Sequence, residues 1–292
     1  MKRSTVRRTL AFLFVLILSA SGAARAQAPL LVEPAWLEAR LEDPKIRVVD
    51  MSRPETYRSA HIPGALHLNI RELMPPVPTG GSRALEAAEA AELFGRLGIA
   101  NDSHVVIYDD AGGLHAGRLF FTLELFGHQA VSVVNGGLQA WLRAELPLVQ
   151  EIATVTPATY RPAPTPDRLA SAEWILAGLE DPDVVLVDAR SSAEYDGKLP
   201  LARRGGHIPG AVNIEWLENL QADGTFKPLE QLRAMYEARG VTPDKTVVPY
   251  CQTFHRAAHT YFVLRFLGYP RVAGYDRSWA EWGNRAGLPV AK

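Results

Sequence analysis

The chain has 292 residues, 31 Lys and Arg against 32 Asp and Glu, a formal charge of −1, and a single cysteine, Cys251. That length suggests two domains. The charge balance argues against nucleic acid or anionic lipid as a partner, and one cysteine rules out an internal disulfide, leaving its thiol for packing, metal ligation or chemistry.

Lys2, Arg3, Arg7 and Arg8 precede the apolar run Leu10–Leu18, and Ala24-Arg25-Ala26 offers a small-x-small cleavage site. This is the layout of a secretory signal peptide over residues 1–26, too short in its apolar part to span a membrane stably. The expectation is an exported protein, periplasmic in a bacterium with two membranes, with no stable membrane insertion after cleavage. Arg7-Arg8 resembles a twin-arginine signal, but the apolar core favours the general export route. An exported chain that keeps one thiol in an oxidising space has a use for it.

The remainder repeats itself. Val48-Val49-Asp50, Tyr57 and His61-Ile62-Pro63-Gly64-Ala65 return as Val185–Asp188, Tyr195 and His207-Ile208-Pro209-Gly210-Ala211. Leu97-Gly98-Ile99 before His104–Tyr108 matches Arg239-Gly240-Val241 before Thr246–Tyr250. Trp141 matches Trp282, and both halves close on Leu-Pro. The repeat predicts one domain over 29–150, a Pro-rich linker over 151–167 and a second domain over 168–292. Thr156–Asp167 carries four prolines and reads as extended and semi-rigid.

In the second half the pattern predicts strands at Val184–Val187 and Thr246–Tyr250, and helices at Leu229–Arg239 and Arg256–Leu267. Short apolar runs alternating with amphipathic helices imply an α/β fold, a parallel sheet with helices on both faces. Ligands then bind beyond the carboxyl ends of the strands, where Cys251 stands. Pro249 cannot donate to a strand ladder, so it is placed near the strand end.

A cysteine at a strand-to-helix junction faces unpaired amides and a positive helix end, which favour the thiolate. His255 and Arg256 are expected to add positive charge there. Only four residues separate Cys251 from Arg256, so the amides of Gln252, Thr253, Phe254, His255 and Arg256 can converge on one small anionic atom. A persulfide sulfur suits such a cradle.

The repeated His-Ile-Pro-Gly-Ala segments, the Cys-x4-Arg loop and Tyr275-Asp276-Arg277-Ser278-Trp279-Ala280-Glu281-Trp282 resemble the rhodanese family of sulfurtransferases in its tandem form, over essentially all of the exported chain. The resemblance implies two rhodanese-like domains, the first inactive because Asp109 stands in the place of Cys251. It implies that Cys251 takes sulfur from a small anionic donor such as thiosulfate or 3-mercaptopyruvate and passes it to cyanide or a thiol, with no metal or organic cofactor. Gln252 and Thr253 are neutral where thiosulfate-specialised members are often basic, and Glu194-Tyr195 stands where an anion-holding arginine is common. Arg203 and Arg204, in an insertion absent from the first half, are candidate replacements. Arg277 replaces a usual glycine.

Other roles read as structural. His61 and His207 are turn residues, Asp188 and Arg190 pair at a strand end, Asp109 and Asp110 cap a helix, and Trp279 and Trp282 pack the last helix. His255 and His259 have i, i+4 spacing but no third metal ligand. Two rival functions remain. A cysteine phosphatase or arsenate reductase would need five residues between cysteine and arginine, and a sulfur-relay module would serve a protein partner.

Overall fold

The computed structural model describes residues 28–292; the expected signal segment lies outside the described residues. The first unit runs β1 (Leu31–Val32), α1 (Pro34–Glu38), β2 (Ile46–Asp50), α2 (Pro54–Ser59), β3 (Leu66–His67), α3 (Ala87–Arg96), β4 (His104–Tyr108), α4 (Leu114–Leu125), β5 (Val131–Val134) and α5 (Gly137–Arg143). Its five parallel strands lie in the order β1-β5-β4-β2-β3. Val105, Val106 and Ile107 of central β4 are all buried, as a sheet covered on both faces requires.

The second unit runs α6 (Ala172–Ala177), β6 (Val184–Asp188), α7 (Ser192–Tyr195), β7 (Val212–Asn213), α8 (Leu229–Glu237), β8 (Thr246–Tyr250), α9 (His255–Phe266) and α10 (Ser278–Trp282). The sheet order is β7-β6-β8, continued by single parallel bridges Val247↔Val272 and Leu169↔Gly274. Those bridges reproduce the first sheet's order in weaker form, and Pro249 is the reason. Its carbonyl accepts the Tyr275 amide at 3.2 Å, so its missing N–H would have pointed at the same segment. In the first unit Ile107 keeps that amide, and β4 pairs with β5 through three residues.

Residues 151–165 form no regular element, but they are tied to the first unit. Ala158 donates to Gly95 O at 2.9 Å, Ala163 to Phe126 O at 3.0 Å and Thr165 to Leu125 O at 2.8 Å. Tyr160 is buried beside them.

The two units meet where α4 crosses α9. A Cβ at Gly117 would lie 2.8 Å from His259 Cα and 3.0 Å from the Ala258 carbonyl, so glycine sets how closely the helices approach. Phe121 packs edge-on against Phe254 and Tyr261 at 4.7 and 5.0 Å. Buried Arg118 pairs with Asp276 and donates to Leu73 O at 3.1 Å. Arg277 reaches the first unit, donating to Thr79 Oγ1 at 2.9 Å and Ser82 O at 3.3 Å. This cross-unit tie is what the chain does with an arginine in a usual glycine position.

Because the contacted atoms at Gly117 are backbone, Gly117→Ala must push α9 outward. The expected loss is about 1–3 kcal/mol of stability, read as a lowered denaturant midpoint, with reduced activity from the displaced α9.

Candidate active site

The sheet delivers Cys251 to its place. Tyr250, the last residue of β8, accepts the Ile208 amide on its hydroxyl at 3.1 Å, as Tyr108 accepts that of Ile62 at 3.1 Å. The repeated His-Ile-Pro-Gly-Ala turns are therefore pegs for these tyrosines. His207 stacks on Tyr195 with centroids 3.6 Å apart, and His61 on Tyr57 at 4.0 Å, consistent with turn and packing roles.

Beyond Tyr250 the chain docks on α10. The Cys251 amide donates to Ser278 Oγ at 3.2 Å, the Cys251 carbonyl accepts from Trp279, and the Gln252 carbonyl from Ala280, both at 2.9 Å. Ser278 has φ of +49°, a strained conformation for a residue with a side chain. Its counterpart Gly137, at φ +52°, sits beside Leu138, whose amide donates to Asp109 O at 2.9 Å. Serine occupies the position because its hydroxyl holds the cysteine backbone.

Phe254 then turns the loop, with φ +60° as the N-cap of α9. Its ring is buried beneath Gly274, where a Cβ would strike it; the side chain is core, and only its backbone belongs to the loop. None of the amides of Gln252, Thr253, Phe254, His255 and Arg256 donates to a protein acceptor among the described residues, and the helical ladder begins at Ala258 N to Phe254 O, 3.1 Å. The first unit shows what such a loop holds. Asp109, 1 % exposed, accepts the amides of Ala111, Gly113 and Ala116 at 2.9 Å and of His115 at 2.7 Å. Asp109 thus caps α4 from inside the loop. Asp110 does not cap it: its carboxylate goes to Thr56 Oγ1 at 2.7 Å and Arg53 at 3.2 Å.

The rhodanese-like domain model matches twice, over residues 33–144 and 171–285. The chain belongs to the rhodanese family. It is 40% identical over 268 residues to a thiosulfate sulfurtransferase of Azotobacter vinelandii, covering 91% of this chain and 98% of that one. It is also 40% identical over 284 residues to the sulfur carrier protein TtuD of Thermus thermophilus, with 91% and 98% covered. Among solved structures, it is similar to the anaerobic ergothioneine biosynthesis enzyme from Chlorobium limicola, with a TM-score of 0.81 and 26% identity, over 90% of this chain and 70% of that one.

Around the rhodanese loop, charges come in pairs. Arg256 donates from both terminal nitrogens to Glu194, at 2.6 and 2.8 Å. Burial opposes both charges, yet this pairing holds the Glu194 carboxyl below its usual range and raises Arg256, helped by nearby Cys251. Glu194 also accepts the Ser191 hydroxyl at 3.0 Å. Arg190 donates through Nε to Asp188 at 2.9 Å and through Nη2 to Gly206 O at 2.8 Å, the predicted strand-end pair. His255 does not add charge as expected: burial, followed by His115, Arg118 and Arg256, pushes it down to about 3, so it is neutral. It stacks on His115 at 4.9 Å, while His259 faces Gly112 O at 3.2 Å and Asn219 at 3.5 Å, so the two rings have separate partners.

Arg204 is not an anion clamp. Its Nη2 donates to the carbonyls of Trp282 and Arg285, both at 2.6 Å, and its Nε to Gly283 O at 3.3 Å, so it staples the C-terminal segment. Arg203 is exposed and lines a cleft with Thr79, Arg277 and Asn284; Ala280, on the same cleft, donates to the Gln252 carbonyl. Gln252 turns its side-chain Nε2 to Leu201 O at 3.0 Å, and Thr253 stays half-exposed at the loop. Glu194 and Ser278 are the site residues that sequence reading missed. Superposing Arg277-Ser278 on Gly136-Gly137 would have flagged the serine.

Asp109→Ala strands four amides, so a loss of about 1.5–3 kcal/mol in unfolding free energy is expected, with the melting temperature as readout. His259 is fully buried and burial pushes its pKa down from 6.5 to about 4. Between those values the unfolded chain takes up the proton and the native one does not. Stability is therefore full above pH 6.5 and falls by up to about 1.4 kcal/mol per pH unit below it; His259→Phe should flatten that slope in melting curves.

Proposed function

We propose that the protein is a sulfurtransferase that carries sulfane sulfur as a persulfide on Cys251. One observation carries this reading: the sole cysteine opens a loop whose next five amides have no protein acceptor among the described residues, at the place where the repeated loop grips the Asp109 carboxylate with four amides. The thiolate attacks the outer sulfur of a donor such as thiosulfate. The donor S–S bond breaks, sulfite leaves with the electron pair, and Cys251 keeps the sulfur as Cys–S–S⁻. Cyanide or a thiolate then attacks the terminal sulfur, and the Cys251 thiolate returns. The enzyme's own negative charge stays on one small sulfur atom before and after transfer, which suits oriented main-chain donors. Neither step calls for a metal or organic cofactor.

Support comes from relatives. One structure of the ergothioneine enzyme EanB, 26% identical with a TM-score of 0.82, over 90% of this chain and 70% of that one, holds ergothioneine covalently linked with a persulfide cysteine. A bovine thiosulfate sulfurtransferase is 35% identical over 274 residues, covering 88% of this chain and 92% of that one. The name of TtuD favours a second reading, in which the persulfide serves a protein acceptor. A phosphoryl reading loses support because the loop from Cys251 to Arg256 is one residue tighter than that from Asp109 to His115. Export is proposed on residues 2–26 alone.

Cys251→Ser should abolish transfer from thiosulfate and mercaptopyruvate to cyanide without changing the melting curve. Mass spectrometry of the donor-treated wild type should show one added sulfur. Turnover by the variant would place the reactive group elsewhere, and a persulfide without turnover to free acceptors would favour the relay.

A further inference from the structure

Three arginines pack around the cysteine loop, and each is met by a carboxylate. Arg256 lies on Glu194, Arg190 on Asp188 and Arg118 on Asp276. Arg190 stands 4.5 Å over the ring of Trp279, whose amide holds the Cys251 carbonyl. Arg118 stands 5.5 Å over Phe254. His255 beside them is neutral. These three pairs therefore carry no net side-chain charge, and at the loop itself the attraction for an anion comes from main-chain amides and the end of α9. That suffices for one sulfur atom. A doubly charged donor also brings a second anionic group, and none of these three arginines is free of a carboxylate to meet it.

Arg256 is the arginine best placed to supply one. Its side chain is 23% exposed, while that of Glu194 is 5% exposed beneath it. Both of its terminal nitrogens are already engaged, in a bidentate geometry that a sulfonate would have to displace. Glu194 is itself fixed by Ser191, so it does not swing away freely. Building on the sulfurtransferase reading, we propose that Glu194 is a positioning residue that sets donor selectivity. By withholding Arg256 it raises the KM for donors with two negative charges and leaves singly charged persulfide donors unaffected.

The test compares thiosulfate with 2-hydroxyethyl persulfide, both with cyanide as acceptor, in wild type, Glu194→Gln and Glu194→Asp. Glutamine keeps an acceptor for Ser191 but frees Arg256 from a competing charge. The expected result for Glu194→Gln is a thiosulfate KM lowered about tenfold at little-changed kcat, with the persulfide KM within about twofold of wild type. Glu194→Asp should stay near wild type for both. An unchanged or raised thiosulfate KM in a folded Glu194→Gln, or equal shifts for both donors, would overturn the proposal. A readout that needs no variant is salt: wild-type kcat/KM for thiosulfate should vary little with ionic strength, and a steep fall would show an uncompensated cation already at work. Failure of the sulfurtransferase reading looks different, as no Cys251-dependent turnover with either donor.

Discussion

The candidate site rests on backbone N–H groups, from Gln252 to Arg256, that have no acceptor among the described residues. Buried amides are nearly always paired, so a half-buried loop with several unmet donors beside a cysteine is costly unless water or an anion meets them. The two halves of the chain answer the same problem differently. In the first, the loop closes on its own carboxylate, Asp109, and the donors are met. In the second, the residue in that place is Cys251, too short and too weak an acceptor to meet them, and the proposed persulfide sulfur would take the carboxylate's part. Burial adds to this. Cys251 is 1% exposed, so on the proposed reading only a slim donor atom can reach it.

Other features serve to keep that loop in shape. Ser278 accepts φ +49° in order to hold the Cys251 amide. Phe254 turns the chain at φ +60° with its ring locked under Gly274. The crossing of α4 on α9 and the Arg118–Asp276 pair make the first unit a wall against which the loop is set. The unit without a cysteine is thus a structural half of the site.

Much of this was legible in the residues. The repeat, the parallel architecture, β8 from Thr246 to Tyr250 and the position of Cys251 follow from apolar runs and punctuation, which act locally along the chain. The turn roles of His61 and His207 and the pairing of Asp188 with Arg190 were also legible, because they are short-range. What misled was the choice of partner for long charged side chains. Arg204 looked like an anion clamp but serves carbonyls some 80 positions on. His255 looked cationic but is silenced by burial and by His115 and Arg118 of the other unit. Glu194 looked like a missing arginine and proved to be the partner of Arg256, 62 positions away. Such pairings depend on which loops the fold brings together, and composition carries no trace of them.

The most direct measurement is a crystal structure of the protein after treatment with thiosulfate. The account predicts a second sulfur on Cys251, within hydrogen-bonding reach of several amides between Gln252 and Arg256, with Arg256 still on Glu194. A persulfide pointing away from those amides, or held mainly by an Arg256 released from Glu194, would contradict it.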